Sequence, residues 1–300
     1  MIHEHSHDHQ HAHTHDHRMP YARFSIRTLL ILAVVMGLYY LLAPGVFLAE
    51  FAHPGKLILW TLGVGIPLSL FEYLYHRFLL HSAVLPFLGA MHDAHAEHHG
   101  LTSVKAPILK KEPEKMVPVK SDYPILHDHQ EASMMFPWFA QPGFYAAFFL
   151  FFAWPLKAVF PAEPVISAML ICVTIYFAWY EIWHAILHLS FDDFWEPQFK
   201  NPRYGKLVEH VYSFHLMHHW RPVANLAVVG LWGFAVWDHV FRTHHRPKNT
   251  PIHESMVNYY DAQLPKPMWP ISMMDKWQPA MYKFSRALER VVMKPFKKTA

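Results

Sequence analysis

Four long apolar segments constrain this chain more than any other feature of its sequence. They cover residues 28–48, 57–80, 143–160 and 165 into the 180s. A helix rises about 1.5 Å per residue, so each segment is long enough to cross a hydrocarbon layer of about 30 Å. We therefore expect an all-α integral membrane protein with four transmembrane helices.

The distribution of basic residues predicts how these helices are oriented. Arg and Lys are gathered before the first segment, between the second and third, and after the fourth, whereas the connections "AEFAHPGK" and "KAVFPAEP" are short and nearly uncharged. Since cytoplasmic loops carry the excess of Lys and Arg, we expect both termini and both long loops in the cytoplasm. The membrane would be a bacterial inner membrane or, in a eukaryote, that of the endoplasmic reticulum.

A fifth apolar segment, residues 222–240, needs a separate interpretation. A crossing there would move the basic residues that follow it to the outer side. We therefore expect this segment to lie in the interface or to close over a site.

The chain divides into three parts by composition. Residues 1–20 form a histidine-rich tail that we expect to be disordered. Residues 21–250 form the membrane domain, and residues 251–300 form a cytosolic extension. An apolar stripe in the extension predicts an amphipathic helix that rests on the membrane surface, with an ordinary packed helix as the alternative. The stripe consists of Met281, Phe284, Leu288, Val291 and Val292.

Charge and cysteine content exclude some classes of protein. The 26 basic and 23 acidic side chains give a net charge of only +3, so no nucleic-acid partner is expected. The single cysteine excludes an internal disulfide.

Histidine is the second unusual feature, with 27 in the chain. Ten of them form four clusters that the predicted orientation places on one side of the membrane. These are His76 and His81; His95, His98 and His99; His184 and His188; and His215, His218 and His219. Residues three and four apart share a helix face, so three clusters have chelating spacings. The first pair is five apart, and we expect the helix to end or bend between its members.

Imidazole clusters of this kind point to transition-metal binding, since neutral imidazole is a ligand for iron, zinc, copper and nickel. Ten imidazoles exceed the six positions of one octahedral ion. Shared between two ions, they give about five each and leave a position open for oxygen or substrate.

Carboxylates near these clusters are candidates for orienting the imidazoles. A metal-bound histidine usually donates its other ring N–H to a carboxylate or a carbonyl. Glu72 lies four residues before His76, and Glu181 lies three before His184. For each carboxylate, pairing with Arg or Lys at the membrane boundary is the alternative.

In order and spacing, the four clusters resemble the histidine boxes of the fatty acid hydroxylase and sterol desaturase superfamily of membrane di-iron enzymes. The boxes read H-x3–4-H, H-x2–3-H-H, H-x2–3-H and H-x2–3-H-H, and the resemblance covers about residues 71–245. The segments "EYLYHRFLLH", "YEIWHAILH" and "LWGFAVWDHVFRT" are most similar to the fatty acid 2-hydroxylases. Asn225 and Asp238 fit a further pattern of the family, which adds them to the candidates around the site. Arg242 stands where the family usually has glycine.

The resemblance implies a cytosolic cap lined by the ten histidines, which bind two iron ions; other divalent metals such as zinc can occupy such a site. It implies hydroxylation of an unactivated C–H bond in a fatty acyl, sphingolipid or sterol-like lipid, using O2 and two external electrons. A separate ferredoxin, cytochrome or reductase would deliver the electrons.

Three alternatives stay open. Desaturation would use the same site. A membrane metal transporter would suit the histidine-rich tail, although the middles of the apolar segments hold no ionisable residue. A non-catalytic scaffold with a structural metal site would need fewer ligands than ten.

Overall fold

The computed structural model describes residues 21–125, 130, 133–252 and 254–293. The histidine-rich tail predicted to be disordered lies outside the described residues. The fold is mostly helical, with 63% helix and few strands. The α-helices are α1 (Tyr21–Leu42), α2 (Pro44–Phe51), α3 (Pro54–Tyr75), α4 (Gly89–Leu101), α5 (Ala140–Phe148), α6 (Trp154–Val159), α7 (Val165–Leu187), α8 (Glu196–Phe199), α9 (Gly205–Trp220), α10 (Val236–Val240) and α11 (Ile271–Met293).

Three π-helical turns and two small sheets complete the described elements. The π-turns are His76–Leu80, Phe149–Ala153 and Phe191–Trp195. The strands are β1 (Val104–Lys105), β2 (Val117–Pro118), β3 (Lys120–Ser121) and β4 (Met256–Val257). Strand β1 pairs with β3 and β2 with β4, both antiparallel, so β4 ties the C-terminal part of the chain to the loop after α4.

Four helical segments of the described chain are long and apolar enough to cross a membrane, which confirms the four predicted from the sequence. They are Tyr21–Leu42, Pro54–Leu80, Ala140–Val159 and Val165–Leu187. The first segment ends earlier than predicted because Pro44 begins a separate helix, in a first turn where proline's missing N–H costs nothing. Helix α7 is central: 61% of its apolar window is buried, against 6% for α1.

Residues 222–240 form no spanning helix. They run as a loop that ends in the short helix α10, and the middle of this loop packs against α3. The prediction that this segment does not cross the membrane agrees with this path.

A buried carboxylate fastens the end of the bundle where α7 begins. Glu50, which is 2% exposed, accepts hydrogen bonds from Lys157 Nζ at 2.6 Å and from the Ser167 backbone N–H at 2.8 Å. Since Ser167 lies in the first turn of α7, the negative charge also stabilises the helix dipole. This contact fixes where α7 starts and therefore where its histidine-bearing end lies.

Helix α11 is anchored by ion pairs to the π-turn after α3 and to α4, while its apolar stripe stays exposed. The buried Arg77 guanidinium donates to both oxygens of Asp275, with Nε–Oδ1 and Nη2–Oδ2 distances of 2.9 and 2.8 Å. Arg286 pairs with Asp93 at 3.0 Å. On the stripe, the side chain of Phe284 is 61% exposed. The helix is therefore amphipathic, with an apolar face that the described residues leave uncovered.

Gly65 lets an indole from residues 222–240 approach α3. A Cβ at Gly65 would lie 2.5 Å from Trp232 Nε1, whereas a Cβ at the exposed Gly63 would meet nothing within 4 Å. We expect Gly65→Ala to displace the indole and to lower the free energy of unfolding by about 1–3 kcal/mol. Gly63→Ala is the matched control in the same helix, so the difference between their thermal unfolding transitions isolates the indole contact. Equal transitions for the two variants would show that Trp232 moves at no cost.

Candidate metal centre

Two groups of histidines lie where the ends of α3 and α7 meet α4 and α9. The first group is His76, His81, His95, His99 and His218. The second group is His98, His184, His188 and His219. Within each group, one ring nitrogen from every member lies within 4.8 Å of those of all the others. His215 lies beside the second group, with its Nε2 3.2 Å from Nε2 of His188. All ten histidines singled out in the sequence are thus brought together.

A π-turn brings His76 and His81, which are five residues apart, onto the same side of the helix. The α-helical winding of α3 ends at Tyr75, and a wider π-turn, His76–Leu80, follows, in which the His81 N–H donates to the His76 carbonyl at 3.2 Å. This i→i+5 bond brings residues five apart into line. The two rings stack with centroids 5.1 Å apart and planes 15° apart.

Each three-histidine cluster contributes to both groups. On α4, His99 belongs to the first group and His98 to the second. On α9, His218 belongs to the first and His219 to the second. A helix turns about 100° per residue, so adjacent side chains face different directions. The two groups therefore lie side by side. The rings of His99 in the first group and His219 in the second stack with their centroids 4.1 Å apart.

Backbone carbonyl groups orient four of the imidazoles. In each case Nδ1 lies 2.6–2.9 Å from a carbonyl oxygen. The pairs are His76 with Leu226, His188 with Tyr123, His218 with Ala224, and His219 with Thr102. An Nδ1–H that donates to a carbonyl leaves the Nε2 lone pair free for a metal ion.

Glu72 supports this arrangement indirectly and does not hydrogen-bond to His76, the imidazole for which it was a candidate. Its carboxylate accepts three consecutive backbone N–H groups, those of residues 228–230, at 2.7, 2.8 and 2.9 Å. These residues belong to the segment 224–230, which we call the carbonyl loop because it supplies the acceptors for His76 and His218. Glu72 therefore fixes the loop, and the loop fixes the imidazoles.

Asp238 and Asn225 hold the same loop from its other side. The buried Asp238 carboxylate accepts the N–H groups of Leu226 and Ala227 at 2.9 and 3.0 Å. Asn225 accepts the N–H of His245 at 2.7 Å and donates to the same residue's carbonyl at 3.0 Å. Both side chains thus act on the path of the backbone.

Glu181 likewise contacts a backbone N–H rather than an imidazole. Its carboxylate accepts from Phe136 at 3.2 Å. His184, the imidazole for which it was a candidate, has no hydrogen-bond partner for either ring nitrogen within the described chain. The carbonyl acceptors that orient the other rings could not be identified from residue types, because every residue has a backbone carbonyl.

Two properties of the histidines favour metal binding: their imidazoles are neutral, and several of their ring nitrogens lack a hydrogen-bond partner within the described chain. Burial, followed by neighbouring imidazoles, lowers the pKa of His95 and His98 well below the ordinary value, and burial lowers the pKa of His188 to about 4. Neutral imidazole is the form that binds metals. Both ring nitrogens of His98 and Nε2 of His219 are buried without a hydrogen-bond partner among the described residues. Such orphaned groups are costly unless something coordinates them.

The distances between ring nitrogens also fit. Two nitrogens bound at about 2.1 Å and at a right angle to each other lie about 3.0 Å apart. The Nε2 atoms of His76 and His95 are 3.1 Å apart, and those of His81 and His218 are also 3.1 Å apart. The two groups are therefore buried histidine clusters that can hold metal ions.

Apolar surfaces reach both groups. Between α3, α5 and α7, a cavity lined by Phe71, Phe144 and Phe177 ends at His76. A second concavity, a groove lined by Trp179 and Trp183 of α7, reaches His215. A hydrophobic ligand in either place would lie beside an imidazole group.

Comparisons of the chain with protein-family models, with curated proteins and with solved structures find no match. Function is therefore inferred from the site itself.

Proposed function

We propose that this protein is a membrane-bound di-iron oxygenase that hydroxylates an unactivated C–H bond of a lipid. The observation that carries the proposal is the set of ten imidazoles at the ends of two apolar helices, nine of them in two adjacent groups and His215 beside the second. Structural metal sites are filled by about four ligands, so ten imidazoles in two groups are more than folding requires.

Two ions would be held by the two groups. The first group offers five imidazoles to one ion, and the second group with His215 offers five to the other. Five nitrogen ligands leave one octahedral position open on each ion. When bound, the iron supplies the oxygen reduction and C–H oxidation that no protein side chain performs.

The chain's own residues place the substrate and exclude water. The aromatic walls of the cavity and the groove present an apolar surface up to His76 and to His215. A lipid held there has one carbon fixed near the ions, and such positioning contributes much of the rate in a reaction of this kind. The carbonyl loop and its carboxylates keep the imidazoles fixed meanwhile.

The proposed orientation puts both termini and the histidine-bearing cap in the cytoplasm of a bacterial inner membrane or on the cytosolic side of the endoplasmic reticulum. This follows from the basic residues of the long loops. Helix α11 would then lie on the cytosolic leaflet, with its exposed apolar stripe in the lipid. The substrate would approach from the bilayer, and a ferredoxin, cytochrome or reductase would deliver electrons from the aqueous side.

Oxygen labelling tests the reaction. We expect cells that express the gene under labelled O2 to accumulate a lipid that has gained one labelled oxygen atom, and we expect cells with the empty vector to lack it. Mass spectrometry of the extracted lipids measures this difference. A product that has lost two hydrogens and carries no label would replace hydroxylation by desaturation. An unchanged lipid profile together with metal flux across the membrane would favour a transporter.

A further inference from the structure

The cavity and the groove that reach the two histidine groups differ at their outer ends. The cavity inside the bundle is lined mostly by apolar and aromatic side chains, and Glu72 is the only carboxylate among the described residues that line it. The groove between α7 and α9 continues into a polar pocket, because His210 and Phe214 line both. Groove and pocket together form one surface that is apolar at one end and polar at the other.

The apolar end is built from three elements. Trp179 and Trp183 lie one turn apart on α7, Val211 faces them from α9, and Phe234 comes from the loop before α10. Phe234 is 71% exposed, so the groove opens to the surroundings of the protein. At its inner end lies His215, beside the second histidine group.

The polar end carries an excess of positive charge. Lys206, Arg246 and Lys248 line the pocket, together with a single carboxylate, that of Glu209. Within the described chain, none of the three cations has a carboxylate oxygen within ion-pair distance. Arg and Lys arranged around a concavity are a common way of binding a carboxylate or phosphate group.

We propose that this surface binds a single-chain anionic amphiphile as the substrate, with its charged head in the pocket and its chain in the groove. The head is recognised by Lys206, Arg246 and Lys248, and the chain runs between α7 and α9 toward His215. The role as substrate rests on the proposed function, whereas the binding itself does not. An acidic redox protein is the competing occupant, but the groove that continues from the pocket to His215 is apolar, as a lipid chain requires.

Binding of a C16 carboxylate and of the C16 alcohol to the full-length protein in phosphatidylcholine nanodiscs tests the proposal. We expect Arg246→Gln/Lys248→Gln to raise the Kd of the carboxylate about tenfold, because charge-assisted contacts are lost, and to leave the Kd of the alcohol unchanged. Lys110→Gln/Lys111→Gln removes the same charge from exposed positions outside the pocket and should change neither Kd. Leu207→Trp, at the exposed edge of the groove, should weaken binding of both ligands.

The outcomes separate this inference from the proposed function. Equal Kd values for the carboxylate in the pocket and control variants would overturn the head-group site, even if the native protein hydroxylates lipid. Charge-dependent binding in a protein that oxidises no lipid would support the site and remove its role in catalysis. If the pocket variant binds the carboxylate normally but accepts electrons from a reductase more slowly, the pocket is a docking surface for the redox partner and the inference is wrong.

Discussion

We expect His218→Ala to abolish lipid oxidation and to lower the iron content of the purified protein, while the chain still inserts into the membrane. His218 is fully buried in the first group, and its Nδ1 is oriented by the Ala224 carbonyl 2.9 Å away. Loss of a residue that merely orients a ligand costs about 10–100-fold in metal affinity or activity, so loss of a ligand should cost at least that much. Helix α9 is not one of the four apolar helices, which is why insertion should survive.

His92→Ala is the matched control for this experiment. His92 lies on α4 near the first group but belongs to neither group, and its Nδ1 contacts the Leu80 carbonyl at 2.7 Å. Iron content and turnover should remain close to native in this variant. Normal iron content and turnover in His218→Ala would mean that the first group is not a metal site, and this result would overturn the proposed function.

The second large effect is expected for Glu72→Ala. The substitution leaves the three backbone N–H groups of residues 228–230 buried without their acceptor. Each such group costs about 1–3 kcal/mol, so the free energy of unfolding should fall by about 3–9 kcal/mol. The carbonyl loop should also shift, which would loosen His76 and His218 and weaken metal binding.

Thermal unfolding and competition with a chelator measure the two effects separately. Glu163→Ala is the control, because that carboxylate lies at the opposite end of the bundle, where it pairs with the exposed Lys56 and accepts from the Trp60 indole, so its loss should leave the carbonyl loop and metal binding unchanged. Glu72→Gln keeps one acceptor oxygen but turns an amide N–H toward the loop. Its loss of stability and of metal affinity should therefore lie between those of Glu72→Ala and Glu163→Ala. If Glu72→Ala matched Glu163→Ala in both measurements, the carbonyl loop would hold its path without the carboxylate.

The four apolar helices were predictable because length and apolar composition alone decide whether a helix can span a bilayer. Their ends were less so: a short helix beginning at Pro44 occupies part of the first predicted segment. The winding of α3 was not predictable either, since nothing in "HRFLLH" distinguishes a π-turn from an α-helix that stops.

For the site, spacing identified the histidines but not how they divide. His98 and His99 are adjacent, and the sequence pattern does not distinguish them as ligands. They belong to different groups because of where α7 and α9 lie around α4. The offsets of Glu72 and Glu181 along their helices suggested contacts with His76 and His184, but both carboxylates accept hydrogen bonds from backbone N–H groups. The spacing of residues along one helix cannot predict a contact with a distant loop. Leu226, whose carbonyl contacts His76, is 150 residues away in the sequence.

One deviation in the sequence has a clear physical counterpart. Arg242, which stands where the resembling family usually has glycine, adopts φ +56. This left-handed conformation costs a residue with a Cβ about 1–2 kcal/mol, and glycine adopts it freely. The backbone at this corner, just after α10, therefore retains the shape that favours glycine.

The use of peptide carbonyls to aim His76 and His218 has a consequence for how this protein tolerates change. Any amino acid at positions 224 and 226 presents the same oxygen, so no exchange of side chain deletes the acceptor. An insertion or deletion between residues 224 and 238 would move the backbone carbonyls relative to the imidazoles of His76 and His218. Natural variants of this protein should consequently differ in the side chains of this segment and keep its length.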